Sequence, residues 1–370
     1  MAATLDWISL SLVPGLGLSS YWRLIDHFQT PTAVLRASKK ELFEVQGIRE
    51  QQVSGLFSLS DTTLDGQKEL DRLTAIGGCA LSFEDSSYPP LLRQLSDPPP
   101  VLYALGHKEL LSNPAIAIVG SRAATTYGRK VAFNLANALS SSMLTVVSGL
   151  ALGIDSESHA GALAGAGSTV AVLGCGLDIV YPRQNLQLFR KIAERGAVVS
   201  EYPLGTRPEG FRFPARNRII AGISKGVVVV EAAKRSGSLI TAQIALDCGR
   251  EVFAVPGHID SCKSEGTHWL LKQGAKLVQS AADIIEELDV PSSPVDSEKF
   301  CNNQKNPLEL DPDAAVLLRH LDSYPQMRQE LLDKTELSPA RASELLLLLE
   351  LDGWIEMLPG DRVRKLNSVS

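Results

Sequence analysis

Residues 211–222 read Phe211-Arg212-Phe213-Pro214-Ala215-Arg216-Asn217-Arg218-Ile219-Ile220-Ala221-Gly222. The first eight hold two aromatics, three arginines, one asparagine and no acid, directly before a helix-compatible apolar run. Guanidinium groups pair with phosphate oxygens while aromatic faces stack on bases, so this composition suits a single nucleic-acid strand. A core phenylalanine beside a solvated basic turn is the plainer alternative. Phe211, Phe213, Arg216, Asn217 and Arg218 are the candidates from this stretch.

Four further loops carry chemistry. Gly120-Ser121-Arg122 joins an apolar run to a helix starting near Tyr127, aiming backbone N–H groups and a guanidinium at one point, where an anion is the natural occupant. Ser148-Gly149-Leu150-Ala151-Leu152-Gly153-Ile154-Asp155 leads into a helix with His159 four residues beyond Asp155. That pair could do acid–base work; the plainer reading is an acid favoured by the helix dipole and a histidine on the helix face. Gly174-Cys175-Gly176-Leu177-Asp178 is followed by Tyr181-Pro182-Arg183, and Arg183 could reach a phosphate or simply be solvated. Glu231-Ala232-Ala233-Lys234-Arg235-Ser236-Gly237-Ser238 joins a strand to a helix through Lys234 and a Ser236-Gly237-Ser238 turn, so hydroxyls and N–H groups again converge on a helix start.

Missing motifs narrow the field. There is no G-x-x-x-x-G-K-[ST], which argues against P-loop ATP hydrolysis, and no complete G-x-G-x-x-G for a dinucleotide. The six histidines form no HExxH and no grouped metal ligands. Spacing alone assembles no nucleophile–base–acid set, so neither catalytic residues nor a cofactor are expected.

The elements that must position these loops follow from periodicity. From Ala115 onward short β-branched runs alternate with helical segments, the pattern of a mostly parallel sheet covered by helices. Seven strands are expected: 116–119, 144–147, 169–173, 198–200, 227–231, 252–255 and 276–278. Ligands of such sheets bind at the carboxyl ends of the strands, where the glycine loops fall. Before the sheet, residues 79–103 contain Tyr88-Pro89-Pro90 and Asp97-Pro98-Pro99-Pro100 and read as an ordered extended connector. Residues 5–57 hold two apolar helical stretches broken by Val13-Pro14-Gly15-Leu16-Gly17 and Val45-Gln46-Gly47-Ile48-Arg49, a pattern similar to helix-hairpin-helix units. After a polar stretch, three helices near 314–321, 327–334 and 339–351 and a hairpin over 354–365 resemble a winged helix. Its third helix offers only Arg341 as a basic side chain, so a protein-interaction or dimer-supporting role weighs as much as DNA binding.

The fold class is therefore α/β: an extended Rossmann-like, mostly parallel sheet, with a small N-terminal helical (helix-hairpin-helix/SAM-like) domain and a C-terminal winged-helix-like domain. The expected boundaries are 1–65 for the helical domain, 66–289 for the sheet domain, 290–310 for a linker and 311–370 for the winged helix.

Bulk properties are consistent with this division. A chain of 370 residues exceeds one ordinary core, and 44% hydrophobic with 21% charged residues is the balance of a folded globular protein. No segment approaches the apolar length of a membrane helix, and the start Met1-Ala2-Ala3-Thr4-Leu5-Asp6 lacks a basic-then-apolar leader, so a cytoplasmic protein is expected. Five scattered cysteines without CxxC fit reduced thiols. The net charge of −6 hides an asymmetry: residues 201–276 hold 11 basic and 7 acidic side chains, whereas 311–365 hold 7 basic and 11 acidic. Any nucleic-acid contact is expected in the middle of the chain.

Taken in order and spacing, Gly120-Ser121-Arg122, the 148–155 loop with His159, Gly176-Leu177-Asp178 with Tyr181-Pro182, residues 213–222 and Ser236-Gly237-Ser238-Leu239-Ile240-Thr241-Ala242 closely resemble the bacterial DNA-processing family DprA, also called Smf, over residues 75–288. The resemblance implies a non-enzymatic homodimer that binds single-stranded DNA, protects incoming strands during natural transformation and helps load the RecA recombinase. It also implies phosphate contacts from Arg122 and from Arg183, where many relatives carry Lys; Arg keeps the charge and changes the geometry. The competing expectation is a nucleotide-processing hydrolase of the lysine-decarboxylase-like Rossmann group. Such enzymes carry a Pro-Gly-Gly-x-Gly-Thr loop where this chain has Glu231 to Ser238.

Overall fold

The structure, a computed structural model, describes residues 2–58, 62–288, 311–321, 325–335, 337–351 and 354–365. The expected linker at 290–310, and Cys301 within it, lie outside the described residues. The chain divides into two compact units, Met1–Pro291 and Ser292–Ser370.

The first unit opens with helices α1 (Ala2–Ser11), α2 (Leu18–Phe28), α3 (Pro31–Arg36), α4 (Lys39–Glu44), α5 (Glu50–Ser58) and α6 (Thr62–Ala75). The two expected hairpin turns separate α1 from α2 and α4 from α5. Each turns on a glycine in the left-handed region, Gly15 at φ 77° and Gly47 at φ 85°. Gln52 ties the two turns together, donating from Nε2 to the Gly15 carbonyl (3.1 Å) and to Ser20 Oγ (2.9 Å). Ser38 and Glu41 form a capping box that starts α4.

Then follow β1 (Gly78–Ser82), β2 (Val101–Gly106), β3 (Ala115–Val119), α7 (Thr126–Ser141), β4 (Thr145–Ser148), α8 (Ile154–Ala164), β5 (Thr169–Leu173), α9 (Leu186–Arg195), β6 (Ala197–Ser200), α10 (Arg212–Ile223), β7 (Gly226–Val229), α11 (Gly237–Asp247), β8 (Glu251–Ala254), α12 (Glu265–Lys272), β9 (Lys276–Leu277) and α13 (Ala281–Glu287). The strands make one sheet in the order β1-β2-β6-β5-β4-β3-β7-β8-β9. Pairing from β6 through β9 is parallel, and β3, β4 and β5 are buried along their whole length, which is why their sequences are continuous apolar runs rather than alternations. All seven expected strands are present within two residues at each end.

Residues 79–103 differ from the expected connector. β1 pairs antiparallel with β2, and β2 antiparallel with β6, adding two strands to the sheet edge. The prolines lie between these strands rather than in them, and Leu102 and Tyr103 are buried by pairing that no local pattern announces. The N-terminal helices share a core with the sheet: Trp7, Tyr21 and Leu24 pack in one cluster with Tyr103, Leu173 and Ile192. Residue 65, the expected boundary, lies inside α6.

The second unit contains α14 (Pro312–His320), β10 (Gln326–Met327), α15 (Arg328–Asp333), α16 (Pro339–Leu351), β11 (Ile355–Leu358) and β12 (Arg362–Lys365), with the three strands in the order β10-β12-β11. It is a winged helix with its own core of Leu317, Leu331, Leu345, Ile355 and Val363. Among the described residues no helix is long and apolar enough to cross a membrane.

Candidate nucleic-acid interface

β3, β4, β5, β6 and β7 run parallel, so the loops that follow them emerge at one edge. The chain moves from β3 outward through β4, β5 and β6, then crosses by α10 to β7 on the other side of β3. That reversal is where a doubly wound sheet leaves a crevice.

At this edge three loops meet in a stack. The Phe213 ring, at the first turn of α10, lies 5.5 Å from the Tyr181 ring at an interplanar angle of 29°. The Arg122 guanidinium carbon sits 5.5 Å from the Phe213 centroid. A Cβ at position 174 would lie 3.1 Å from Phe213 Cδ1, so only glycine lets the ring rest on that backbone without displacement. Arg122 and Tyr181 are exposed and Phe213 is half-buried. The arrangement offers a π face and a guanidinium side by side, the pair that takes a base and its phosphate. Arg183 lies exposed on the short 3₁₀ turn Arg183–Asn185, two residues beyond Tyr181. Among the described residues Arg122, Arg183, Lys234 and Arg235 make no ion pair, and the N–H groups of Ser121 and Arg122 find no backbone or side-chain acceptor.

The start of α7 departs from expectation, because its anion is internal. Glu231, buried at the end of β7, accepts from the Thr125 N–H (3.0 Å) and from the Thr125 hydroxyl, which in turn caps Gly128 N–H at 3.0 Å. A carboxylate taken out of water needs such donors, and β3 and β7 are neighbours, so the nearest helix N-terminus supplies them. Gly120 is pressed between Ile154 and the Glu231 carbonyl and serves packing. Of the Gly120-Ser121-Arg122 loop, the Arg122 guanidinium and the Ser121 and Arg122 N–H groups are the ones left without a protein acceptor among the described residues.

Arg216 and Arg218, expected on the phosphate track, are buried instead. Arg216 is 4% exposed and donates from Nη1 to the carbonyls of Gly149 (2.8 Å) and Val172, and from Nε to Asn217 Oδ1 (3.2 Å). Burial holds its pKa down to about 10 even with Asp155 beside it. Arg218 bonds Glu201 and reaches Asp97 at 3.5 Å. Both extend from the inner face of α10, where buried carbonyls at the ends of β4 and β5 and the carboxylate of Glu201 need donors. Asn217 is half-buried against Arg216.

Asp155 and His159 hold the loop after β4. Asp155 Oδ2 accepts from Gly149 N (3.1 Å) and Ala151 N (3.3 Å); burial pushes its pKa up, against the pull of Arg216. His159 Nε2 accepts from Leu150 N (3.3 Å), which makes Nδ1 the protonated nitrogen facing Thr169 Oγ1 at 2.8 Å. Burial first, and Arg216 second, lower its pKa to about 3. Neither group is available for acid–base work at the surface.

Lys234 and Gly237 are exposed and Ser236 half-buried, whereas Ser238 is buried. Ser236 caps α11, its Oγ accepting from Ser238 N (3.4 Å) and lying 2.8 Å from Ser238 Oγ. The turn borders a groove of about 810 Å³ that also takes in Ile240, Trp269 and Lys272. Phe211 stands apart from the Phe213 stack and is 69% exposed. Sequence reasoning missed Tyr181 as a contributor, although an aromatic beside Pro182 and Arg183 was a readable signal. It also missed Tyr202 and Arg212, which contact each other across the start of α10. Among the described residues no group of three or more His, Cys, Asp or Glu is arranged to hold a metal ion.

Residues 80–289 match the family model for DNA recombination-mediator protein A, and residues 303–361 match the DprA winged helix domain. Protein Smf of Synechocystis sp. is 34% identical over 390 residues, covering 97% of this chain and 98% of that protein. The DNA processing protein DprA of Streptococcus pneumoniae is 41% identical over 251 residues, 67% of this chain and 86% of the relative. Its X-ray structure superposes with a TM-score of 0.69 at 37% identity, covering 76% of this chain and 97% of that one. DNA processing protein A from Helicobacter pylori, solved for its unique single-stranded DNA binding mode, gives a TM-score of 0.52 at 32% identity over 57% of this chain and 95% of that one.

Proposed function

The chain belongs to the DprA/Smf family of DNA-processing proteins, and from that premise we propose that it binds single-stranded DNA along the carboxyl edge of its sheet. The observation that carries this reading is the Arg122–Phe213–Tyr181 stack at the crossing of three loops, with Arg183 exposed two residues beyond Tyr181 and making no ion pair among the described residues. Phosphates contacted by Arg122, Arg183, Lys234 and the Ser121 N–H supply affinity, and a base on the Phe213–Tyr181 face adds stacking that is indifferent to sequence. The relative from Helicobacter pylori, whose structure concerns single-stranded DNA binding, supports the choice of ligand.

The role is non-catalytic: Asp155 and His159 are consumed in holding backbone, and Glu231 fills the helix N-terminus at which a nucleotide phosphate would sit. In the cytoplasm a homodimer of this chain would protect incoming strands and help load RecA during transformation and recombination; the name recombination mediator, carried by the matching family, supports that step. Fluorescence titrations of the full chain with single-stranded, double-stranded and mononucleotide ligands at two salt concentrations test the reading. Single strands bind tightest and lose affinity with salt; preference for the mononucleotide, or turnover of it, overturns the proposal.

A further inference from the structure

A second stack stands on the other side of the start of α10. The Arg212 guanidinium carbon lies 5.2 Å from the Phe211 ring centroid and 5.0 Å from that of Tyr202, so the guanidinium is held between two aromatic faces. Phe211 is 69% exposed. Scattered exposed apolar side chains are ordinary, but this ring is fixed from beneath. Arg212 is half-buried and further tethered to Glu209 at 3.4 Å, and its Nε is buried without a partner. A guanidinium so placed works as a plank under the ring more than as a free phosphate ligand.

We propose that Phe211, Arg212 and Tyr202 form a second base-stacking platform, so that one strand lays separate bases on Phe211 and on the Phe213 stack. The inference rests on the single-strand reading above. Phe211 and Phe213 are two residues apart at a helix start, a spacing that sends side chains to different sides, and their partners differ accordingly: Arg212 and Tyr202 for one, Arg122 and Tyr181 for the other. The backbone between the two bases crosses the first turn of α10, which carries no acidic residue and no side-chain cap and so presents the positive end of the helix to a phosphate.

The test places 2-aminopurine singly at successive positions of a thymidine oligomer and reads its quenching by the full chain. Two positions are quenched; Phe211→Ala relieves one and Phe213→Ala the other. Phe211→Ala also weakens a long oligomer by about 5- to 150-fold, the range for one lost base stack, and weakens an oligomer too short to span both platforms far less. Phe211→Trp retains both quenching and affinity. A Phe211→Ala protein that matches the wild type in quenching pattern and at every length overturns the second platform. If Phe213→Ala and Arg122→Ala also bind as wild type, the fault lies in the single-strand reading itself.

Discussion

A buried guanidinium is costly unless every donor is used, whereas an exposed one keeps its donors for a ligand. Arg216 and Arg122 flank the same buried carboxylate, Asp155, and occupy those two conditions. Arg216→Met leaves the buried carbonyls of Gly149 and Val172 without their donor and removes the charge that offsets the burial of Asp155; urea unfolding is expected to register a loss of at least about 1–3 kcal/mol. The salt dependence of DNA binding by the folded variant stays that of the wild type. His159 gives the second residue-level prediction. Its folded pKa of about 3 lies below the ordinary 6.5, so as pH falls through 6.5 the unfolded chain takes up a proton that the folded chain refuses. Stability falls between those values by up to about 1.4 kcal/mol per pH unit. Asp155 and Glu201 are raised by burial and act with the opposite sign, contributing stability that is lost as pH rises through their folded values. The difference between wild type and His159→Asn isolates the histidine. A difference that does not change with pH between neutrality and pH 4 contradicts a buried, neutral His159.

At the scale of elements, the helix N-terminus of α7 is a phosphate-type site filled from within. Glu231→Ala removes the acceptor for Thr125 and costs about 1–3 kcal/mol for the donors left unpaired. Inorganic phosphate then raises the melting temperature of the variant and leaves the wild type unmoved; equal responses contradict the assignment. This plug was not legible in the sequence, where Gly120-Ser121-Arg122 had every mark of an open anion loop, because the filling side chain arrives from residue 231 by way of the β3–β7 pairing. The strands from β3 to β8 were legible because burial on both faces writes continuous β-branched runs. β1 and β2 were not, since their place in the sheet depends on a partner strand about a hundred residues later. The same limit applies to the site: a run of arginines at 212, 216 and 218 reads as uniformly basic, and only the carbonyl ends of β4 and β5 and the carboxylates of Glu201 and Asp97 separate the buried members from the rest. Tyr181 was overlooked for an equivalent reason, its stacking partner being 32 residues away.

For the molecule as a whole, the net charge of −6 makes binding to a polyanion a local matter. On α16 of the winged helix the one basic side chain, Arg341, is paired with Asp311, Asp313 and Glu344, and Leu347 and Leu348 are exposed on the same helix. A chain ending at residue 291 is therefore expected to keep the salt slope of the full protein for single-stranded DNA, as measured by fluorescence titration. The most direct test of the central claim is the affinity for a thymidine oligomer across a salt series, for wild type and for Arg122→Ala/Arg183→Ala. Two lost phosphate contacts on a single strand reduce the slope of log K against log salt by about 1.4, with weaker binding at low salt. A double variant whose affinity and slope equal those of the wild type would contradict the assignment of single-stranded DNA to this edge of the sheet.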